Sequence, residues 1–152
     1  MTRPRRPALR PVALAALALL ATAAAAQDAD PAEEMRALGR CEGCAIEGGD
    51  YAGQKLTGID LGTSRLTGVR FDGAAMGVAV FDGARLEGVS FDGADLSGAS
   101  FVDARLVDVT FADADLGGAV FEGAVLMNTD LGPARLCNTQ TPDDTLDNSD
   151  CD

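Results

Sequence analysis

The chain of 152 residues has the length of a single domain, and with 47% hydrophobic residues and 18 glycines it is not a disordered tail. Aromatic residues make up only 5% and Trp is absent, so a core centred on large rings in the ordinary globular way is not expected. A net charge of −12, from 24 acidic and 12 basic residues, disfavours general binding to nucleic acid or anionic lipid, and the absence of His removes the commonest general base and metal ligand.

Residues 1–26 combine a basic start (Arg3, Arg5, Arg6, Arg10), an apolar run from Val12 to Leu20 and a small-residue stretch ending in Ala24, Ala25 and Ala26. This is the pattern of a secretory signal peptide, with cleavage expected after Ala26. The apolar stretch of about 15 residues is short of the ~20 that cross a hydrocarbon core, so no membrane span is expected after cleavage. The expected location is periplasmic or secreted. Cleavage would remove four of the 12 basic residues and none of the 24 acidic ones, leaving a charge of −16.

Residues 27–40 read as an adaptor. Asp30, Pro31 and Glu33 have the order of an N-cap, a first-turn proline and a reciprocal acidic partner, and Gly39 stands where a helix would stop. The pattern predicts a two-turn helix from Pro31 to Leu38 that presents Met35 and Leu38 on one side and covers the first rung of the chain beyond Arg40.

From residue 56 to residue 136 every fifth position is Leu, Phe or Met without exception, over 17 consecutive registers. Two residues before most large positions stands a compact one, most often Ala, with Val69, Val89 and Val109 varying it; two residues after it stands, most often, Gly. A period of five fits neither a helix nor simple strand alternation, so each unit contains its own turn, and units this short must stack to bury a face. All six Phe (Phe71, Phe81, Phe91, Phe101, Phe111, Phe121) fall ten residues apart. With four units per coil, Phe71, Phe91 and Phe111 would stack on one side and Phe81, Phe101 and Phe121 on the opposite side, with Leu filling the other two. Ala at the second inward position would close a narrow square tube, and Gly would relieve each corner.

This pattern resembles the pentapeptide-repeat family, whose motif Ala-(Asp/Asn)-Leu-X-X is matched by Ala94-Asp95-Leu96-Ser97-Gly98, by Ala114-Asp115-Leu116-Gly117-Gly118 and, with Arg in second place, by Ala84-Arg85-Leu86-Glu87-Gly88 and Ala104-Arg105-Leu106. The resemblance implies an all-β fold, a right-handed quadrilateral β-helix with 20 residues per coil. Ile46 and Tyr51 extend the register backwards, so residues 41–136 are expected to form a little under five coils, about 20–25 Å tall. The pattern is broken at Met76-Gly77-Val78-Ala79-Val80 and at Val125-Leu126-Met127-Asn128.

Four cysteines allow three pairings. If the stack separates its ends by some 20 Å, cross-pairing is excluded, because bridged Cα atoms lie within about 7 Å. Cys41 is then expected to pair with Cys44, and Cys137 with Cys151, which would tie down a polar tail, residues 137–152, resembling that of other exported members of the family. Export permits both bonds. The alternative for Cys41-Glu42-Gly43-Cys44 is a thioredoxin-like redox pair, which wants a βαβ context and a helix starting at the first Cys. The same separation prevents one zinc site from all four, and the Asp-Gly-Ala units (Asp72, Asp82, Asp92) do not follow the calcium-binding nonapeptide, so no metal and no cofactor are expected.

Every basic residue of the repeat body (Lys55, Arg65, Arg70, Arg85, Arg105, Arg135) stands just before a large residue, where it would point outward. Arg65, Arg85 and Arg105 are 20 apart and should form a ladder, either neutralised by Glu87 and Asp108 or used to contact an anion or a partner. Val80, Val102 and Val120 would share one face, and Val107, Val125 and Met127 would cluster on the next, as strand formers or as a partner or homodimer patch. No catalytic constellation is present in the sequence. The expectation is a non-enzymatic structural or protein-binding scaffold of the cell envelope with an unknown protein partner and no direct nucleic-acid binding. The rival reading is an acidic mimic of DNA that inhibits or protects a nucleic-acid enzyme such as a topoisomerase, which some members of the family resemble; it would need the N-terminal segment to be retained.

Overall fold

A computed structural model describes residues 39–152 together with Pro4, Glu33, Met35 and Ala37. Apart from Pro4, the segment expected to be a signal peptide lies outside the described residues, as does most of the adaptor. Of the expected capping helix, Glu33, Met35 and Ala37 are helical, and the Gly39 N–H donates to the Met35 carbonyl at 3.1 Å, with Gly39 at φ +64°. Met35 is buried with the core.

The five-residue period sends one large side chain inward and then turns the backbone, and twenty residues bring the chain back above its starting point. One face of each coil is extended enough to form a strand: β1 (Ala45–Glu47), β2 (Arg65–Thr67), β3 (Arg85–Glu87), β4 (Arg105–Val107) and β5 (Val125–Met127). They form a parallel sheet in the order β1-β2-β3-β4-β5, with Ile46, Leu66, Leu86, Leu106 and Leu126 in register. The other faces are joined by single bridges at the same 20-residue spacing, such as Arg70 to Ser90 to Thr110 and Val80 to Ser100 to Val120. The result is a right-handed parallel β-helix with four full turns from β1 to β5. Backbone bonds link the coils throughout, as where Phe81 N–H donates to the Ser100 carbonyl at 2.7 Å and Ser100 N–H to the Ala79 carbonyl at 2.9 Å.

The core is the two-column arrangement that the ten-residue Phe spacing predicts. Tyr51, Phe71, Phe91 and Phe111 stack at 5.3–5.4 Å between ring centroids, and Phe81, Phe101 and Phe121 at 4.7 Å. Across the tube the columns meet edge to face, as for Phe81 and Phe91 at 5.5 Å with their planes 79° apart. Ala74, Ala84, Ala94 and the other Ala of the second inward position are buried in the same core.

At the corners, except after Leu131, where Pro133 stands, the residue two after each large position takes a left-handed conformation. It is Gly at most of them, and where it is not, it is chiefly Asp or Asn (Asp103, Asp108, Asp113, Asn128, Asn138), the types that tolerate positive φ best. The ladder also runs past Leu136: Val120 bridges to Gln140, and the Phe121 N–H donates to the Gln140 carbonyl at 2.8 Å. The chain then reverses through Thr141–Thr145 to pair β6 (Thr139–Gln140) with β7 (Leu146–Asp147) antiparallel.

Candidate functional site

The regular sheet face β1–β5 presents two outward rows. One reads Ala45, Arg65, Arg85, Arg105, Val125 and the other Glu47, Thr67, Glu87, Val107, Met127, each in parallel register. Between the rows lies a shallow surface groove of about 250 Å³, lined by Arg65, Arg85 and Arg105 on one side, Thr67, Glu87 and Val107 on the other, with Leu86 beneath. The three arginines are exposed and stand about one strand spacing, ~4.8 Å, apart.

Neutralisation by Glu87 and Asp108 is not what the structure shows. Among the described residues, Arg65, Arg85 and Arg105 form no ion pair, and Arg105 instead points Nη2 at the Met127 sulfur, 3.2 Å away. Asp108 accepts from Asn128 Nδ2 at 3.1 Å. Arg85 and Glu87 flank Leu86 on an extended segment, their Cα atoms roughly 6.6 Å apart and their side chains parallel, without meeting. At Phe71 the chain turns instead, and Arg70 reaches Asp72 at 2.9 Å and Asp50 at 3.5 Å; Arg135 likewise meets Asp115 at 3.3 Å.

The carboxylates do more than solubilise. Asp60, Asp95, Asp115 and Asp130, each just before a large residue, accept the N–H two residues on at 2.9–3.0 Å, closing the turn. Asp82 and Asp92 reach the next coil, accepting the Val102 and Ala112 N–H at 3.1 and 3.0 Å. Asp72 and Asp82 also accept the Ser90 and Ser100 hydroxyls, and Asp72 is held below its ordinary value by the Ser90 hydroxyl first and then by Arg70, with burial opposing.

Of the apolar candidates, Val80, Val102 and Val120 are half-buried, and Ser100 stands between Val80 and Val120 in their column. Val125 and Met127 are exposed at 49% and 44% and extend both rows beyond Arg105. Among the described residues the most exposed valine is Val78 at 59%, within the broken motif at Met76–Val80, with φ +54°. Only that break in the repeat marks it in the sequence.

Cys41 and Cys44, at the large and small inward positions of the first coil, lie with Cα atoms 5.4 Å apart, and Cys137 and Cys151 with Cα atoms 4.8 Å apart, both at bonding distance. Cys41 is buried and is followed by the first coil of the solenoid. Among the described residues no group of three or more Asp, Glu, Cys or His could hold a metal ion, and no helix is long and apolar enough to cross a membrane.

A stacked right-handed β-helix with one large inward residue in five defines the class, and comparison with known proteins agrees. The family model for pentapeptide repeats (9 copies) matches residues 76–135. The chain belongs to the pentapeptide-repeat family. A pentapeptide repeat protein of the Arabidopsis thaliana thylakoid lumen is similar in structure at 32% identity and a TM-score of 0.52, over 65% of this chain and 66% of that one. HetL, involved in heterocyst differentiation regulation in the cyanobacterium Nostoc, is 24% identical with a TM-score of 0.43, over 71% of this chain and 60% of its own. QnrB1, a plasmid-mediated fluoroquinolone resistance protein, is 21% identical with a TM-score of 0.47, over 61% and 58%. No curated protein matches the chain.

Proposed function

We propose that the protein is an exported, non-enzymatic scaffold of the cell envelope that binds a protein partner on its outer surface. The observation that carries this reading is that all four cysteines of the chain stand in two pairs at bonding distance, one at each end of the solenoid. Two such bonds persist in an oxidising compartment and are lost in the reducing cytoplasm. The leader-like pattern of residues 1–26 supports the same compartment, as does the lumenal source of the 32% identical structure. Binding rather than catalysis is supported by the absence of His from the sequence and by a surface made of rows and a shallow groove.

A duplex mimic would need a continuous acidic surface in the cytoplasm, and the unpaired row of Arg65, Arg85 and Arg105 interrupts it. The test is the intact mass of protein recovered from its native host, without reduction and after thiol alkylation. A chain beginning at Gln27 and lighter by four hydrogens is expected; a full-length chain with four alkylated cysteines would overturn the reading.

A further inference from the structure

We infer that the Arg65–Arg85–Arg105 row is the docking site for an acidic helix of the partner protein, one that carries carboxylates at i, i+3 or i+4, and i+7. The inference rests on the protein-binding reading above and names the chemistry of the partner. Three like charges directly opposite one another in a parallel ladder repel, and side chains so placed are destabilising unless something compensates. The chain has 24 acidic residues with which to compensate, and it does so at Arg70 and Arg135. On β2, β3 and β4 it does not.

The spacing selects the occupant. Arg65 to Arg105 spans two strand spacings, about 9.6 Å along the solenoid axis. Carboxylates seven residues apart on an α-helix span about 10.5 Å, with an intermediate one after 4.5 or 6.0 Å, so a helix lying along the axis places one carboxylate over each guanidinium. An extended strand in the same direction repeats a same-side residue every ~6.6 Å and loses register over three rungs. Beyond Arg105 the rows end in Val125 and Met127, both exposed, so the same helix carries an apolar residue one turn past its last carboxylate.

The probe is a side-chain-stapled helical peptide with Glu at i, i+4 and i+7 and Leu at i+11, compared with a peptide of the same composition whose Glu residues are distributed around the helix. Titrated against the oxidised protein at low salt, the patterned peptide is expected to bind about tenfold more tightly, and Arg85→Glu to weaken it by roughly tenfold or more. Arg135→Gln, a charge change on another face, should leave binding within about twofold, and circular dichroism of each variant checks the fold. Absence of binding, equal binding of the two peptides, indifference to Arg85→Glu, or tighter binding of a DNA duplex of equal charge would each overturn the proposal. None of these outcomes alters the mass of the exported chain, so export and disulfide closure are judged separately.

Discussion

Gly49 and Tyr51 are a matched pair: a Cβ at Gly49 would lie 2.2 Å from Cε2 of the Tyr51 ring. The next three coils carry Val69, Val89 and Val109 beside Phe71, Phe91 and Phe111, and there the rings stack within 8–9° of parallel, whereas Tyr51 is tilted 22° from Phe71. The first coil has given up a branched side chain to admit the displaced ring. Gly49→Val should therefore cost about 1–3 kcal/mol by overpacking. Adding Tyr51→Phe lets the ring return to the orientation of the column below and should restore part of that loss, with a coupling of about 0.5–3 kcal/mol in urea denaturation of the single and double variants.

Val78 stands in a corner column whose glycine members, Gly58, Gly98 and Gly118, have φ between 67° and 71°. A branched residue in the left-handed region costs about 1–2 kcal/mol, and glycine gives back about 0.5–1 kcal/mol in chain entropy. Val78→Gly should thus raise the unfolding free energy by up to about 1 kcal/mol. The mirror change, Gly98→Val, should lower stability, since its Cβ would fall 3.2 Å from Val78 Cγ1 while adopting the same strained φ. Chemical denaturation midpoints of the two variants should move in opposite directions.

The Phe columns and the Arg row were legible in the sequence because both depend only on the 20-residue coil, and once that period is known, phase alone decides which residues stack. The choice of strand face was legible in principle. Val69, Val89 and Val109 replace Ala at the small position directly after β2, β3 and β4, and Thr129 does so after β5. The charge partners were not legible. Arg70 with Asp72 and Arg85 with Glu87 have the same spacing across one large residue, yet the first pair, beside a turn, meets and the second, on a strand, does not. The hairpin of β6 and β7 also escaped a reading based on apolar periodicity, because its turn is built from polar groups, with the Thr141 and Thr145 hydroxyls on the Asp143 carboxylate.

Acid should destabilise the solenoid through Asp72. Its carboxyl is held below the ordinary 3.8, chiefly by the Ser90 hydroxyl, so the unfolded chain takes up the proton at higher pH than the folded one. The stabilisation is then fully present above about pH 3.8 and is lost as the pH falls through the lower folded value. Carboxyl chemical shifts followed by NMR should show Asp72 titrating below the ordinary aspartate value of 3.8. In Ser90→Ala its midpoint should rise, while Ser97→Ala, which removes a donor from Asp95, should leave Asp72 unchanged.

The tail should depend on the Cys137–Cys151 pair more than on packing. Leu146 is 64% exposed, and what docks the segment to the last coil is polar: Leu136 N–H on Asp150 Oδ2 at 3.0 Å, Asp150 N–H on the Leu136 carbonyl at 2.9 Å, and Asn138 N–H on Asn148 Oδ1 at 2.8 Å. Three such bonds do not offset the entropy of ordering the segment. Closure of a loop of about 15 residues is worth roughly 3 kcal/mol by the chain-entropy estimate. Cys151→Ser should release β7 and the turn before it, seen as fast hydrogen exchange from residue 141 onward. Thr139 and Gln140 should stay protected, because Thr139 is buried with its hydroxyl on the Leu116 carbonyl at 2.8 Å, and Gln140 is bridged to Val120. If exchange instead quickens back through Phe121, the disulfide is holding the last coil and not only the tail.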